Sequence, residues 1–337
     1  MARLGMKRRK AVRLEGTSLV NTSLMEGCSH PLVYKPAIDE VDLSAWAQGH
    51  RTEILTNLLK HGALLFRGFH IPDIAAFEEI ARVICPQLLD YVERAAPRSE
   101  VGNQIFTSTA YPSDQWIPLH HEMSYSHNWP TKLFFYCQQP AEVDGFTPVA
   151  DDRVVFNKIP QEVKNEFTSR KIMYVRNYGE GVDMPWREVF QTESREELEA
   201  YFQKTHTQWE WLDGNRLRTR MIRQITARHP QTGDEVWFNH AHMFHQSNMP
   251  KPVFDALSKE FAPDEFPRNV FFGDGSPMDA EVLGGIRDLY RENAVIFPWE
   301  KGDFMILDNF LTTHGRSPFK GKRSVLVAMG ELYNNLA

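Results

Sequence analysis

Residues 119–127 read LHHEMSYSH and hold three histidines and one glutamate within nine positions. In an extended strand, successive side chains point to opposite faces, so His120 and Glu122 would project together while His121 points away. One metal ion could therefore take both side chains as ligands. Two ligands hold a transition metal weakly, so a third ligand must come from a distant part of the chain.

The candidate third ligand lies near the C-terminus, in GDFMILDNFLTTHGRSPFKGKRSVLVAM. His314 directly follows an apolar, strand-like run, and Arg316 and Arg323 come soon after it. Two imidazoles and one carboxylate on one face of an octahedral ion suit non-haem Fe(II) and leave three positions open for reactants. The three residues together indicate an iron site more strongly than an isolated His-X-Glu motif would.

The composition is that of an ordinary globular protein, with 42% hydrophobic and 24% charged residues among 337, which provides material for a large core. The formal net charge of −6 gives no basic surface of the kind that binds phosphate backbones, so we expect no nucleic acid partner. Cys28, Cys85 and Cys137 are odd in number and far apart. Such cysteines indicate free thiols and a reducing, cytoplasmic location.

Pro and Gly are scattered rather than gathered in a linker, and no internal repeat is present, so we predict a single domain over residues 31–337. The basic start, residues 1–30, is predicted to be a flexible N-terminal tail. This tail has no apolar run typical of a secretory signal, and no stretch reaches the ~20 apolar residues of a membrane span. We expect no association with a membrane.

Two helices and a strand are predicted in the N-terminal part. In DLSAWAQGHRTEILTNLLKHG, apolar residues recur at helical spacing between a cap at Asp42 or Ser44 and a stop at Gly62. ALLFRGF follows and is typical of a buried strand. DIAAFEEIARVICPQL is typical of a second amphipathic helix, opened by Asp73.

From about residue 100 the chain changes to short β-prone runs broken by turns: IFTSTAY, KLFFYCQQ, TPVAD, KIMYVRNYG, DEVWFNHA, VFFGDG, FMILDNF and RSVLVAM. Many short strands at intervals predict a jelly-roll or barrel. Two helical inserts interrupt them, TESREELEAYFQKTHTQW with a cap at Thr192 or Ser194, and DAEVLGGIRDLYREN. We therefore predict a mainly β fold in which helices cover a jelly-roll core.

Six stretches, spread over most of the chain, carry a resemblance to a known family: GALLFRGF, STAYPSDQWIPLHHEMSYS, FFYCQQPAEVDGFTPVADDR, HPQTGDEVWFNHAHMFH, RNVFFGDGS and LDNFLTTHGRSPFKGKRSVLVAM. In these stretches the chain resembles the Fe(II)/2-oxoglutarate-dependent dioxygenases of the taurine dioxygenase (TauD/TfdA-like) superfamily, in its amino-acid-hydroxylating branch of SyrP-like enzymes and clavaminate synthase. It implies a double-stranded β-helix (jelly-roll) core, Fe(II) as the metal, and 2-oxoglutarate and O₂ as cosubstrates.

The same resemblance implies that His120, Glu122 and His314 bind iron, and that Thr147 and Arg323 bind the far carboxylate of 2-oxoglutarate. The planar fork of a guanidinium matches a carboxylate bidentately, which suits such a role. An Asp-Gly-Phe triplet precedes Thr147, where the family usually has Gly, Gly and an acid. Related halogenases lack the carboxylate ligand, so Glu122 favours hydroxylation or another oxidation.

Four further residues are candidates for contact with substrate: His127, Asn239, His242 and Arg316. For each of them a structural role, as a core histidine, a second-layer group or a salt-bridge partner, is the alternative. In WFNHAHMFH, His240 and His242 share one face of a predicted strand and His245 follows closely, which is also typical of a zinc cluster. That cluster has no carboxylate ligand nearby.

We predict an enzyme of secondary metabolism that hydroxylates an unactivated C–H bond of an amino acid or an amino-acid-derived molecule, with decarboxylation of 2-oxoglutarate to succinate and CO₂. The substrate can be free or tethered to a carrier protein, and the sequence leaves the oligomeric state open. Two alternatives remain. One is a non-catalytic jelly-roll protein that binds a small anion, and the other is a zinc hydrolase built on His240 and His242.

Overall fold

The computed structural model describes residues 18–90, 93, 98–108, 111–179 and 183–335. The strands, in chain order, are β1 (Val20–Leu24), β2 (Leu32–Pro36), β3 (Ala63–Phe66), β4 (Glu100–Gly102), β5 (Ile105–Thr107), β6 (Ile117–His120), β7 (Asn128–Gln139), β8 (Val143–Asp144), β9 (Val149–Asp151), β10 (Ile172–Tyr178), β11 (Gln208–Leu212), β12 (Arg216–Arg223), β13 (Ala227–Arg228), β14 (Glu235–Val236), β15 (Arg268–Phe272), β16 (Phe304–Asp308), β17 (Thr312–Arg316), β18 (Phe319–Lys320) and β19 (Ser324–Asn334). The helices are α1 (Leu43–His61), α2 (Ile74–Ile84), α3 (Asp152–Lys158), α4 (Gln161–Arg170), α5 (Trp186–Phe190), α6 (Arg195–Lys204), α7 (Ala241–Phe244), α8 (Lys251–Glu260) and α9 (Ala280–Glu292).

The largest sheet has eight strands in the order β1-β2-β3-β16-β7-β19-β5-β4. Its long central strand β7 is buried on both faces, with Leu133 and Phe135 on one side and Phe134 and Tyr136 on the other. A strand covered on both faces needs apolar residues at every position rather than at alternate ones. This explains the continuous run LFFYC in the sequence.

Helices α1 and α2 cover one face of this sheet. Asp42 accepts a hydrogen bond from the backbone N–H of Ala45 (3.1 Å) and begins α1, while Gly62, at φ 71°, ends it. Asp73 accepts from the N–H of Ala76 (2.9 Å) and begins α2. Side-chain caps satisfy N–H groups that have no partner inside the helix. Both predicted helices are confirmed, and Asp42 rather than Ser44 is the cap.

The other face of the large sheet packs against a three-stranded sheet of order β6-β17-β9. Phe135 of β7 lies with its ring centroid 5.2 Å from that of His314 in β17, so the two sheets share one interior. Together with the helices on the outside, this arrangement confirms the prediction of a mainly β jelly-roll core flanked by helices. The space between the two sheets holds the candidate site.

A four-stranded sheet, β11-β12-β10-β15, extends the molecule beside this core. The insert before it was predicted as one helix to Trp209, but α6 ends at Lys204 and the chain continues as β11 from Gln208. Ser194 rather than Thr192 caps α6, accepting from the N–H of Glu197 (3.2 Å). The β-prone residues after the helix pair with β12, and this pairing overrides the helical pattern.

Two further predictions need correction. Residues 1–17 of the predicted tail lie outside the described residues, but residues 20–24 form β1 and pair with β2 in the large sheet, so the tail is shorter than residues 1–30. DEVWFNHA was predicted as one strand, yet β14 contains only Glu235 and Val236. The N–H of Trp237 donates to the Asp152 carboxylate (2.6 Å) instead of to a neighbouring strand, and this ends the pairing.

Within the residues that the structure describes, no helix has the length and apolar character needed to cross a membrane. Cys28, Cys85 and Cys137 are all free thiols, as the sequence predicted. Burial raises the pKa of the Cys85 thiol to about 11 and that of Cys137 to about 12. These thiols are therefore protonated and unreactive at neutral pH.

Substitution of Gly315 by alanine tests the close approach of β6 and β17. A Cβ at Gly315 would lie 2.6 Å from the carbonyl oxygen of Ile117, which is backbone and cannot easily move aside. We expect G315A to lower the free energy of unfolding by about 1–3 kcal/mol, measured by urea denaturation. Gly285 on the exposed side of α9 has no described atom within 4 Å of its Cβ position, so G285A should stabilise by about 0.5–1 kcal/mol. Equal changes in the free energy of unfolding for G315A and G285A would contradict the close approach of β6 and β17.

Candidate active site

His120 and His314 are direct neighbours across two paired strands. His120 is the last residue of β6 and stands opposite His314 of β17, and their ring centroids are 4.5 Å apart. Side chains directly opposite in an antiparallel pair have Cβ atoms about 4.5–5.5 Å apart. The strand pairing therefore brings together two imidazoles that are far apart in the sequence.

Glu122 joins them from the turn after β6. One ligand-type atom from each of His120, Glu122 and His314 lies within 4.8 Å of the other two. Among the residues that the structure describes, no other three His, Cys, Asp or Glu side chains converge in this way. Two imidazoles and one carboxylate are the donor set that suits non-haem Fe(II). We refer to these three residues as the candidate triad.

Glu122 lies near His120 and His314 for a reason other than the predicted one, which was a shared strand face with His120. Strand β6 ends at His120, and Met123 takes a left-handed φ of 59°, so Glu122 lies on a turn rather than on a strand face. Asn309 fixes this turn, because its Oδ1 accepts from the Glu122 N–H (2.8 Å) and its Nδ2 donates to the Glu122 carbonyl (3.0 Å). His121 points away as predicted, and its buried ring bonds to the carbonyl of Asn309 (2.7 Å).

A buried arginine contacts the candidate triad. Arg98 Nη2 donates to Glu122 Oε2 (2.8 Å), and both side chains are only 5% exposed. The same carboxylate oxygen lies 3.9 Å from His314 Nε2. Arg98 thus holds the carboxylate beside the imidazoles, and charge-assisted hydrogen bonds of this kind are stronger than neutral ones.

Burial controls the charge of the two imidazoles. It lowers the pKa of His120, and it lowers that of His314 well below the ordinary value, with further lowering of the His314 pKa by His120. His120 Nδ1 lies 2.8 Å from the Pro118 carbonyl, which can only accept, so Nδ1 carries the proton and Nε2 keeps its lone pair. Neutral imidazole with a free lone pair is the form that binds metals.

One cavity is lined by His120 and His314 at one end and by Thr147 and Arg323 at the other. Arg323 donates through Nε to the Gly145 carbonyl (2.8 Å) and through Nη2 to Thr147 Oγ1 (3.3 Å). Burial, together with the smaller effect of nearby Arg316, lowers the pKa of Arg323 to about 10, so the group stays charged at neutral pH. No acidic side chain in the described ranges lies within 4.0 Å of it.

Arg316 also lines this cavity, but its hydrogen bonds go elsewhere. Its guanidinium donates to three backbone carbonyls, those of Tyr111, Pro112 and Gln115, at 2.5–3.1 Å. The expected salt bridge is not found within the described part of the chain. Arg316 therefore holds the loop of residues 111–115 against the cavity.

The other predicted substrate residues lie outside this cavity. Asn239 donates to the Ile225 carbonyl (2.8 Å) and accepts from the N–H of Ala241, just before α7. His242 donates through Nε2 to the Leu119 carbonyl (2.8 Å), behind β6. His127 is buried, with Nδ1 3.4 Å from the Tyr201 hydroxyl. Asn239 and His242 therefore have structural contacts, and His127 lies beside Tyr201, whose hydroxyl donates to Glu93.

The structure also separates the histidines of the zinc alternative. His240 and His242 were predicted to share a strand face, but His240 precedes α7 and His242 lies within that helix. His240 Nδ1 lies 2.6 Å from the Ser124 hydroxyl and His245 Nδ1 lies 2.8 Å from that of Ser247. The His240 ring packs edge-on against the His120 ring, with the two ring centroids 5.4 Å apart.

Sequence reasoning missed three residues of the site: Arg98, Trp299 and Asn309. Trp299 Nε1 donates to Thr147 Oγ1 (3.0 Å) and so orients that hydroxyl. Asn309 lies in the stretch LDNF before the late histidine, where a polar residue next to a buried strand was the available signal. No local pattern marks Arg98, since its partner is 24 positions away.

The chain matches the family described as Taurine catabolism dioxygenase TauD, TfdA family over residues 29–329. It is 36% identical to the dapdiamide synthesis protein DdaC of Enterobacter agglomerans over 306 residues, 91% of this chain and 92% of that protein. It is 30% identical to a clavaminate synthase-like protein of Arabidopsis thaliana over 306 residues, 87% of this chain and 89% of that one. The fold is similar to that of PvcB, an Fe, alpha-ketoglutarate dependent oxygenase from an isonitrile synthetic pathway, with a TM-score of 0.55, 98% coverage of both chains and 14% identity.

A jelly-roll with two histidines and a glutamate between its sheets defines the class, and the match over most of the chain defines the family. The chain belongs to the TauD/TfdA family. It is an Fe(II)- and 2-oxoglutarate-dependent dioxygenase, which confirms the predicted enzyme class, the iron and the cosubstrates 2-oxoglutarate and O₂.

Substitution of Asn309 tests the turn that carries Glu122. Alanine would leave the Glu122 N–H and the carbonyls of Glu122 and Pro130 without partners in a buried place. We expect N309A to lower the free energy of unfolding by at least about 2 kcal/mol and to weaken Fe(II) binding, measured by urea denaturation and metal titration. The exposed Asn165 of α4 offers a matched control, and N165A should change neither quantity. An N309A protein with unaltered stability and iron affinity would contradict this role.

Proposed function

We propose that this enzyme hydroxylates an unactivated C–H bond of an amino acid or amino-acid-derived small molecule, with conversion of 2-oxoglutarate to succinate and CO₂. The observation that carries the proposal is that one cavity joins His120 and His314 to the guanidinium of Arg323. A metal-binding end and a carboxylate-binding end in a single space fit a keto acid that contacts both.

His120, Glu122 and His314 are the proposed iron ligands. Their donor atoms are those that suit Fe(II), and burial lowers the pKa values of the two histidines, so the imidazoles are neutral at neutral pH. His314 Nε2 lies 3.9 Å from a carboxylate oxygen of Glu122, so these two donor atoms are close enough for one ion to contact both. When bound, the iron supplies the redox chemistry with O₂ that oxidises both the keto acid and the substrate.

Arg323 and Thr147 are the proposed contacts for the far carboxylate of 2-oxoglutarate. Thr147 Oγ1 accepts hydrogen bonds from Trp299 and Arg323, so its own proton remains available to donate to a carboxylate oxygen. Arg98, Arg316 and Arg323 all line the cavity. The three positive charges outnumber the one negative charge of the Glu122 carboxylate, and this net positive charge favours a dianionic cosubstrate.

A role in secondary metabolism is supported by the relatives. One is a dapdiamide synthesis protein and a structural neighbour comes from an isonitrile synthetic pathway. The proposal covers free and carrier-tethered substrates. A cytoplasmic location is supported by the three free cysteines, since a reducing compartment keeps thiols unpaired.

The outcome at the substrate depends on Glu122. A carboxylate in the third ligand position leaves no place for a halide there, so oxygen insertion is favoured over halogenation. The alternatives have less support. A zinc hydrolase would need His240 and His242 to face one ion, and their contacts direct them to Ser124 and to the backbone of Leu119. A non-catalytic anion-binding protein would have no use for the candidate triad beside the cavity.

Arg323→Ala tests the cosubstrate end of the cavity. Loss of the guanidinium should weaken 2-oxoglutarate binding by at least about 30-fold, since truncation of one partner of a buried charge pair costs about 2–5 kcal/mol. Iron affinity should be unchanged, because Arg323 does not contact the candidate triad. Calorimetric titration of both ligands measures this, with K322A as the control, since Lys322 is the exposed neighbouring cation. Equal 2-oxoglutarate affinity in R323A and wild type would remove Arg323 from this role.

Glu122→Ala tests the metal end and the reaction. The variant should bind Fe(II) much more weakly and should form no succinate from 2-oxoglutarate under air, because one of three ligands and the partner of Arg98 are lost. Removal of O₂ should stop succinate formation in the wild type as well. Succinate formation by E122A at the wild-type rate would refute the ligand assignment, and activity without O₂ would refute the reaction.

A further inference from the structure

A second cavity lies between helix α9 and strand β6. Its volume is about 540 Å³, within the roughly 300–1,000 Å³ that is typical of small-molecule sites. Strand β6 contributes Ile117 and His120 to the cavity of the candidate triad, and it contributes Pro118 and Leu119 to this second cavity. No described residue lines both, so the second cavity is a separate space, which we call the α9 cavity.

Most of the wall of the α9 cavity is apolar. Two of its apolar side chains are unusually exposed for their type, Trp116 at 52% and Ile296 at 50%. Leu119 and Tyr290, which also line it, are buried, so the cavity extends from the surface into the interior. Exposed apolar side chains that are grouped, rather than scattered singly, mark binding sites. The wall therefore favours a ligand with an apolar body.

Two cationic side chains of α9 line the same cavity. Arg287 donates to the His242 carbonyl (2.9 Å) and to the Ser247 hydroxyl (3.1 Å), which are both neutral. Among the described residues, no carboxylate oxygen lies within 4.0 Å of its guanidinium. Arg291 pairs with Asp288 (2.6 Å), which is exposed and does not line the cavity. None of the described lining residues is acidic, so the α9 cavity carries a positive charge that favours an anion.

His242 adds a hydrogen-bond acceptor to the wall of the α9 cavity. Its side chain is buried, and burial lowers its pKa to about 3, so the imidazole is neutral at neutral pH. Nε2 donates to the Leu119 carbonyl (2.8 Å), which leaves the lone pair on Nδ1. Nδ1 is buried and has no partner among the described residues. An N–H or O–H group of a ligand would supply the partner that buried polar atoms usually have.

We propose that the α9 cavity is a second small-molecule site, for a ligand with an apolar body and an acidic group. The apolar body packs against Trp116 and Leu119, and the acidic group binds the guanidinium groups of Arg287 and Arg291. The bound ligand contacts β6 directly beside His120, but its binding needs neither iron nor 2-oxoglutarate. This site goes beyond the proposed function and does not depend on it.

A fluorescence titration of the metal-free full-length protein tests the site with two matched probes. One probe is 8-anilinonaphthalene-1-sulfonate (ANS), which combines an apolar body, an N–H group and an anion. The other is N-phenyl-1-naphthylamine (NPN), which has the same rings and N–H group but no sulfonate. We expect one ANS molecule to bind per wild-type chain.

Three variants separate the charged and the apolar part of the site. R287M should weaken ANS binding by about tenfold and leave NPN binding unchanged, because only ANS has an anion to bind the guanidinium. W116A should weaken the binding of both probes, since it removes part of the apolar wall. R228M is the control and should change neither affinity, because Arg228 is 71% exposed and does not line the cavity.

Two further variants keep the test decisive if R287M does not fold. R291M removes the exposed cation and should weaken ANS binding alone, by roughly two- to fivefold. R323A changes the cavity of the candidate triad and should leave ANS binding unchanged. The proposal is overturned if ANS does not bind the wild type, if R291M and W116A bind ANS as the wild type does, or if R323A abolishes the binding. These outcomes are the same whether or not the protein forms succinate, so a failure here leaves the proposed function standing.

Discussion

The pairing of β6 with β17 is the contact on which the rest of the site depends. It places His120 opposite His314, and it requires a glycine at position 315, where any Cβ would meet the backbone of β6. The turn that carries Glu122, the third member of the candidate triad, begins where β6 ends and is held there by Asn309. The large sheet covers these short strands, and the ring of Phe135 in β7 packs against that of His314.

Burial lowers the pKa of both kinds of basic group in the interior, but it leaves the histidines neutral and the arginine charged. For His120 and His314 it lowers a pKa that starts near neutrality, so the imidazoles are uncharged and able to bind metal. For Arg323 the pKa falls only to about 10, so the guanidinium keeps its charge at neutral pH. The same buried environment thus leaves uncharged imidazoles at one end of a cavity and a charged guanidinium at the other.

Local patterns predicted the parts of the molecule that local physics determines. The caps at Asp42 and Asp73 and the buried run of β7 are of this kind, and the pair His120 and Glu122 with a late histidine could be singled out from the residues and from the resemblance. What failed depends on distant partners. The turn at Glu122 is set by Asn309, 187 positions away, and the predicted strand after Val236 is replaced because Asp152 takes the backbone N–H of Trp237. Arg98 gains its significance from burial and from its contact with Glu122, which no local sequence pattern displayed.

An anaerobic visible absorption titration of the metal-free protein with Fe(II) and 2-oxoglutarate tests the central claim most directly. A keto acid that chelates iron between the candidate triad and Arg323 should give a weak charge-transfer band that requires both additions and is absent in H314A. If calorimetry shows that both ligands bind the folded wild-type protein and no band forms, or if H314A gives the same band, then His120, Glu122 and His314 do not hold the iron that binds 2-oxoglutarate.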